Sequence, residues 1–386
     1  MIKTLRAFTG EIDDINTAVG DILFQLDLDK NIRKYSVGII SCFPDFISSG
    51  VISALAEKLP FPLTGATTLA GSSNGIIGEM ILILTVLTSD DVEFVTGLTG
   101  PIAGEDEKPL IQAWEQAVAG RTDKPALMIS FAPLLNNMSG DFFVEAWSSI
   151  TGNVPNFGTA AIDNNKDYHD SQTIYGGSAY RDCYVFILCY GALEPLFFVG
   201  SISKKRVFWE RGKVTASKGN LLSGVNGVSV AEYLKGLGLA TDEDGKIAGI
   251  NAFPFILDYN DGTRPVIRVM FSITPDGSAV CGGYVPEGAT LMVGAINAEE
   301  VLATSEAAMK EALSSGKGRS WLMFSCAGRY FALGFNTTAE MEKAGALFGD
   351  TPFHLAYSGT EFCPVYGTDG SLTNRSHNDT VVICGI

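Results

Sequence analysis

The stretch Ser320–Glu361, "SWLMFSCAGRYFALGFNTTAEMEKAGALFGDTPFHLAYSGTE", decides how the rest of the chain is read. It opens with a continuous apolar run, SWLMFSC (Ser320–Cys326), of the length expected of a buried strand. TTAEMEKAGALFG (Thr337–Gly349) follows with helical composition and a terminal glycine. Pro352 then opens a second run, TPFHLAYSGTE (Thr351–Glu361), which breaks into small polar residues. That order reads as a β-α-β element.

The same order occurs twice upstream. SVGIISC (Ser36–Cys42), SGVISALAEKL (Ser49–Leu59) and FPLTGATTLAG (Phe61–Gly71) form one copy, with a third strand at MILILTVL (Met80–Leu87). PALMISF (Pro125–Phe131), SGDFFVEAWSSITG (Ser139–Gly152) and VPNFGTAAID (Val154–Asp163) form the other. In each copy the first strand carries a terminal serine: Ser41, Ser130 and Ser325. The next position holds Cys42, Phe131 and Cys326, and a place shared by cysteine and phenylalanine behaves as a volume to be filled. The copies are too few and too unevenly spaced for a solenoid. They predict an α/β protein of mixed α+β character, with repeated β-α-β-β units forming mixed sheets in two domains.

Outward from these copies, Glu11–Asp27 places Ile12, Ile15, Val19, Ile22, Leu23 and Leu26 at helical spacing. A β-rich crossing runs from Glu194 to about Asn226, and Ser229 with Glu232 forms a capping box. DEDG, YNDG and TPDG mark turns, and NAEEVLATSEAAMKEALSSG reads as a helix capped by Asn297 and ended by Gly316. The expected division is an N-terminal helix over 1–30, one domain over 31–210 and another over 211–386.

With 27 basic against 43 acidic residues the chain carries −16, which repels phosphate backbones and anionic lipid. Nucleic acid and membrane surfaces are therefore not expected partners. The N-terminal segment lacks the apolar core of a signal peptide, and no run approaches the roughly 18 apolar residues of a membrane span. Seven cysteines without CxxC spacing fit free thiols in a cytoplasmic protein and give no structural metal site.

Chemistry-bearing motifs are sparse: there is no Walker loop, GxGxxG, GxSxG or HExxH. Cys326 beside Arg329 raises a thiol nucleophile, which needs one of only three histidines as its base. The loop Ile162–Ser171 gathers Asp163, Asp167, His169 and Asp170 but lacks the glycine of a calcium-binding turn, and reads as solvated. In PFHLAYSG, alternation puts His354, Ala356 and Ser358 on one face, where a histidine satisfied inside a core is the simpler reading.

Four segments carry a family resemblance. LTGATTLAGSS (Leu63–Ser73), MFSCAGR (Met323–Arg329), AYSGTEFCPVYG (Ala356–Gly367) and SHNDTVVI (Ser376–Ile383) follow the order and spacing of motifs in the FIST (F-box and intracellular signal transduction) family, in both its N- and C-terminal domains. The resemblance implies a bacterial sensory protein, not an enzyme, that binds a small ligand such as an amino acid. It implies signalling to a histidine kinase, a diguanylate cyclase or a chemoreceptor. Some members hold haem and respond to nitric oxide, so haem is the implied alternative cofactor, held by one histidine. Carried over by motif, the ligand-binding positions are Gly65, Thr67, Thr68, Gly71, Cys326, Arg329, Ser358, Gly359, Glu361, His377 and Asn378. Two departures stand out: Ser72 replaces an expected glutamate, and Thr360 replaces the glycine before Glu361. Arg329 has two readings, a fork for a ligand carboxylate or a clamp on Glu361.

Overall fold

A computed structural model describes every residue except 1, 74, 136–137, 166, 240–248 and 317–318, so the DEDG turn lies outside the described residues. The chain runs through the same path three times. Unit 1 is β1 (Lys3–Thr9), α1 (Ile15–Leu26), the short α2 (Leu28–Asn31), β2 (Tyr35–Cys42), α3 (Asp45–Ser48), α4 (Val51–Lys58), β3 (Leu63–Thr67), the hairpin β4 (Gly71–Ser73) and β5 (Ile76–Gly78), and β6 (Leu82–Ser89). Unit 2 repeats it as β7 (Glu93–Leu98), α5 (Lys108–Ala117), β8 (Leu127–Ala132), α6 (Gly140–Thr151), β9 (Asn156–Ala160), β10 (Thr173–Tyr175), β11 (Ser178–Tyr180) and β12 (Val185–Tyr190).

Unit 3 begins with β13 (Leu196–Gly200) and is interrupted by an insertion. The insertion comprises β14 (Val207–Lys218), β15 (Leu221–Val225), β16 (Val228–Ser229), α7 (Val230–Gly236), β17 (Phe255–Asp258), β18 (Val266–Arg268), β19 (Met270–Ile273), β20 (Ala279–Cys281) and β21 (Thr290–Gly294), which form their own antiparallel sheet. Unit 3 then resumes with α8 (Ala298–Ser315), β22 (Trp321–Cys326), α9 (Ala327–Ala332), α10 (Ala339–Phe348), β23 (Phe353–Ser358), β24 (Glu361–Tyr366), β25 (Leu372–His377) and β26 (Val381–Gly385).

Each unit builds one sheet, and the strand order is the same in all three: β1-β6-β2-β3, β7-β12-β8-β9 and β13-β26-β22-β23. The central pair is parallel in every case, as a β-α-β crossover requires. Each hairpin leaves its own unit and extends the next sheet. β10-β11 pairs with β3, β24-β25 with β9, and β4-β5 with β23. The sheets therefore mix strands from widely separated parts of the chain, which is the mixed α+β architecture expected from the repeats.

One apolar core holds side chains from all three sheets, among them Ile39, Ile129, Phe324 and Ala356. A separate core lies between each sheet and its own helices. Sheets so covered on both faces explain the continuous apolar runs in the sequence.

Two sequence readings need correction. Residues 1–30 are not a helix alone, because Lys3–Thr9 forms an edge strand against β6, with Leu5, Ala7 and Thr9 buried in period-two alternation. The three serines are also not equivalent. Gly65 faces Ile40 and Gly158 faces Ser130, and an added Cβ would lie 1.9 Å and 2.0 Å from the respective carbonyl oxygens. Ile40 therefore matches Ser130, and Ser41 matches Phe131. In unit 3, where Trp321 N–H donates to the Pro352 carbonyl as Gly38 does to Pro62 and Met128 to Pro155, the same places are held by Met323 and Phe324. A one-residue slip exchanges the two faces of a strand. Cys42 accordingly packs in the outer core under α4, while Phe131 packs in the central core. The capping box at Ser229 and Glu232 and the Asn297 cap form as the sequence indicates. Among the described residues, no helix is long and apolar enough to cross a membrane.

Candidate functional site

At the C-terminal ends of the parallel strands of units 2 and 3, the insertion closes over a cavity of about 810 Å³. Its floor comes from strand ends and the loops after them: Ala132, Ala160, Cys326, Ala327, Gly328 and Gly359. Its roof comes from the insertion, including Asn220, Asn251, Val269, Phe271 and Gly282. Small residues at the floor leave the volume open, and Phe143, Phe362 and Phe331 make much of the wall apolar. A smaller recess of about 360 Å³ adjoins it, sharing Tyr168 and Phe331.

The insertion is latched to the body through Arg268, whose side chain is fully buried. It donates to an Asp141 Oδ1 at 2.7 Å, to the Ser376 carbonyl at 3.0 Å and to the Tyr284 carbonyl at 3.1 Å. Asp141 Oδ2 in turn accepts from the Tyr284 backbone N–H at 2.8 Å. Asp141 lies in the first turn of α6, next to Ser139 and Gly140 of the cavity wall, so the roof is fixed beside the site.

The β25–β26 turn brings Asn378 and Asp379 to the cavity. Asp379 adopts a left-handed backbone (φ 49°), a conformation that Asp and Asn tolerate better than other side chains. Cys326 N–H donates to the Thr380 carbonyl at 2.9 Å and pins the turn to the end of β22. Asn378 donates its amide to the His377 carbonyl at 3.0 Å, while its Oδ1 has no partner. Asp379 Oδ2 also has none. Gly328 is what admits this carboxylate, since a Cβ there would lie 2.0 Å from Asp379 Oδ1. Burial pushes the Asp379 carboxyl up to about 7, against the pull of Arg329. Behind it, Glu361 accepts from Thr380 Oγ1 at 3.1 Å, and burial raises this carboxyl well above its ordinary value.

Of the positions carried over by motif, Cys326, Gly359 and Asn378 line the cavity. The others lie behind it or elsewhere. Gly65 is locked against Ile40, and Thr67 exchanges hydrogen bonds with the Gln172 backbone. Thr68 N–H donates to the Cys42 carbonyl, and Gly71 pairs with β5 and β23. Ser358 is fully buried as the register partner of Cys326, and His377 faces the Cys363 carbonyl at 3.0 Å.

Arg329 departs from both of its readings. It is fully buried, and it clamps Glu340, not Glu361 or a ligand: Nη2 and Nε lie 2.9 Å and 3.2 Å from Glu340 Oε1. Nη2 also donates to the Val301 carbonyl at 2.8 Å, and Ser325 Oγ to Glu340 Oε2 at 2.7 Å. Burial alone would raise the Glu340 carboxyl. Arg329 and the hydroxyls of Ser305, Tyr357 and Ser325 overcome it and hold the group below its ordinary value.

No histidine lines the cavity among the described residues. His354 sits between Ser41 Oγ at 2.8 Å and Thr85 Oγ1 at 3.0 Å, so both ring nitrogens are engaged, and burial lowers it to about 4. His377 is likewise buried and lowered to about 4, while His169 is exposed beside Asp170. A haem iron therefore finds no axial histidine at the cavity, and the residues present do not fit the histidine-held haem that the resemblance implies. The thiol nucleophile fails on the same ground: burial first, then Glu361 and Asp379, push the Cys326 thiol well above its ordinary value, with no imidazole beside it. In the Ile162–Ser171 loop, Asp170 is engaged by Asn165 and Arg181, and no group of three metal-ligating side chains occurs among the described residues.

Asp379 lies inside the segment SHNDTVVI (Ser376–Ile383), next to the motif positions His377 and Asn378. Glu340 and the roof residues lie outside the family motifs, and their positions carry no local signal in the sequence.

The chain matches the FIST N domain over residues 36–228 and the FIST C domain over residues 229–364. No curated protein matches it. Among solved structures, cyanuric acid hydrolase from A. caulinodans aligns over 100% of this chain and 98% of its own, at 9% identity and a TM-score of 0.39. PurLQS from Thermotoga maritima aligns over 100% of this chain and 72% of its own, at 10% identity and a TM-score of 0.21. The first of these is an enzyme by name, which stands against the expectation that this chain is not one. At that TM-score it carries no reaction across.

Proposed function

Because the chain belongs to the FIST family, whose domains are generally signalling-related small-ligand sensors, we propose that the roofed cavity is its ligand site. One observation carries the reading: strand ends of two units and an insertion enclose about 810 Å³ of mainly apolar space, within the range of small-molecule sites. A ligand seated there touches both the roof and the body, so occupancy alters how firmly the insertion is held. That is the step by which binding reaches a partner, such as the histidine kinase, diguanylate cyclase or chemoreceptor implied by the family motifs, in a cytoplasmic setting.

Within this reading an amino acid is disfavoured. Arg329, the cation its carboxylate would need, is committed to Glu340 behind the wall. The test is a thermal-shift screen of small organic compounds against the wild-type chain and Ala332→Trp, which places a large ring at the cavity lining. Hits stabilise the wild type, by about 2.7 kcal/mol at a hundredfold excess over Kd. The variant loses that response. A screen without hits, or a variant that responds like the wild type, removes the assignment.

A further inference from the structure

We propose that the group recognised in this cavity is an amine, carried on an apolar body that has no carboxylate, and that Asp379 and Asn378 receive it. The inference rests on the cavity being the ligand site. Three observations carry it.

The two polar side chains of the β25–β26 turn that line the cavity both leave acceptor oxygens unpartnered, Asn378 Oδ1 and Asp379 Oδ2. Both residues are almost fully buried, Asn378 at 3% exposure and Asp379 at 1%. Buried acceptors without donors are costly, so the missing component is a donor.

Among the described residues lining the cavity there is no lysine, arginine or histidine, and Asp379 is the only carboxylate. A ligand carboxylate would meet the acid with no counter-charge, whereas an ammonium supplies the charge that the site lacks. The nearest cation, Arg329, touches only the Asp379 backbone carbonyl, at 3.5 Å, and spends its fork on Glu340.

The turn is also built to hold these oxygens in place. The Asn378 amide N–H₂ is anchored on the His377 carbonyl, which directs Oδ1 away from it. Gly328 leaves the space that the Asp379 carboxylate occupies. Around this acceptor pair, Phe143, Phe362, Val269 and Ala160 supply an apolar surround.

The titratable groups facing Asp379 are Glu361 and Cys326, both raised well above their ordinary values, first by burial, and Arg329, whose fork is engaged by Glu340. Tyr168 across the cavity is raised above its ordinary value and stays neutral. Asp379, raised to about 7 by burial, changes charge between pH 6 and 8.

The experiment is isothermal titration of the full chain with two series of matched bodies. One is tryptamine, indole-3-propionate and indole-3-ethanol; the other is 4-phenylbutylamine, 5-phenylpentanoate and 4-phenylbutanol. The amine of at least one series binds about tenfold or more tighter than its alcohol, and the carboxylates do not bind. Asp379→Asn brings the amine down to the alcohol's affinity. In the wild type, the amine binds about tenfold more weakly at pH 6 than at pH 8, as ionisation around pH 7 requires, and the alcohol is unchanged. The pH series needs no variant, so it stands even if the substitution impairs folding. Alcohols or carboxylates that bind as well as the amines overturn the amine assignment and leave the cavity assignment intact. An amine affinity indifferent to both Asp379→Asn and pH does the same. Absence of binding in both series overturns the amine assignment, while the cavity assignment stands or falls with the broader screen.

Discussion

Glu340 and Asp379 are both fully buried near Arg329, yet they hold their protons in opposite ways. Glu340 is met by the Arg329 fork and by the Ser305 and Ser325 hydroxyls, and it is held below the ordinary carboxylate range. Asp379 receives only a distant pull from the same arginine, and burial drives it up to about 7. The difference is made by partners, not by depth. A buried charge with a full set of donors is part of the scaffold, while one without them is poised to accept a donor from outside.

Two substitutions and one labelling measurement break or sharpen this contrast. The largest effect is expected from Glu340→Ala, which leaves the Arg329 guanidinium buried without a counter-charge. A loss of about 3–5 kcal/mol is expected in denaturant unfolding. A loss below about 1 kcal/mol would show that Arg329 does not depend on this partner.

Asp379→Asn is expected to act in the reverse direction. The folded-state value of about 7 lies above the unfolded value of about 3.9, so the folded chain keeps a proton that the unfolded chain releases. Stability is therefore lost as pH rises from about 4 to 7, and the cost is complete above that range. The asparagine variant, which tolerates the left-handed turn equally well, gains on the order of 4 kcal/mol at pH 8 and almost nothing at pH 4. A gain that does not vary with pH would mean that Asp379 is not the titrating group.

The smallest effect concerns Cys326. Its buried thiol should react with iodoacetamide at pH 7.5 at least a hundredfold more slowly than free cysteine, as thiolate is the reactive form. Fast, selective labelling would place this wall among reactive sites.

Much of the scaffold was legible beforehand because the signals are local. Three apolar runs, each followed by a helical segment and a proline, gave the parallel pairs of all three units. Alternation in PFHLAYSG put His354 on the inner face, where Ser41 and Thr85 satisfy it. Register was not legible: a terminal serine aligned Ser41 with Ser130, and only the glycine facing each strand shows that Ile40 holds that place. The edge strand Lys3–Thr9 was hidden for a related reason, since a seven-residue alternation beside a strong helical period draws little notice.

The site divided along the same line. Cys326, Gly359 and Asn378 were found because they belong to compact motifs at strand ends. Glu340 and Asn251 lie in no motif, and each joins its neighbourhood through contacts with distant parts of the chain.

By itself, then, the sequence determined the repeated β-α-β units, the buried strands, the helix caps and the family, since each follows from residues within about one element of one another. Only the tertiary structure decided which sheet each hairpin joins, where the insertion closes and which carboxylate goes unpaired. Those outcomes depend on groups brought together from far along the chain, and a buried group takes its charge from the donors around it.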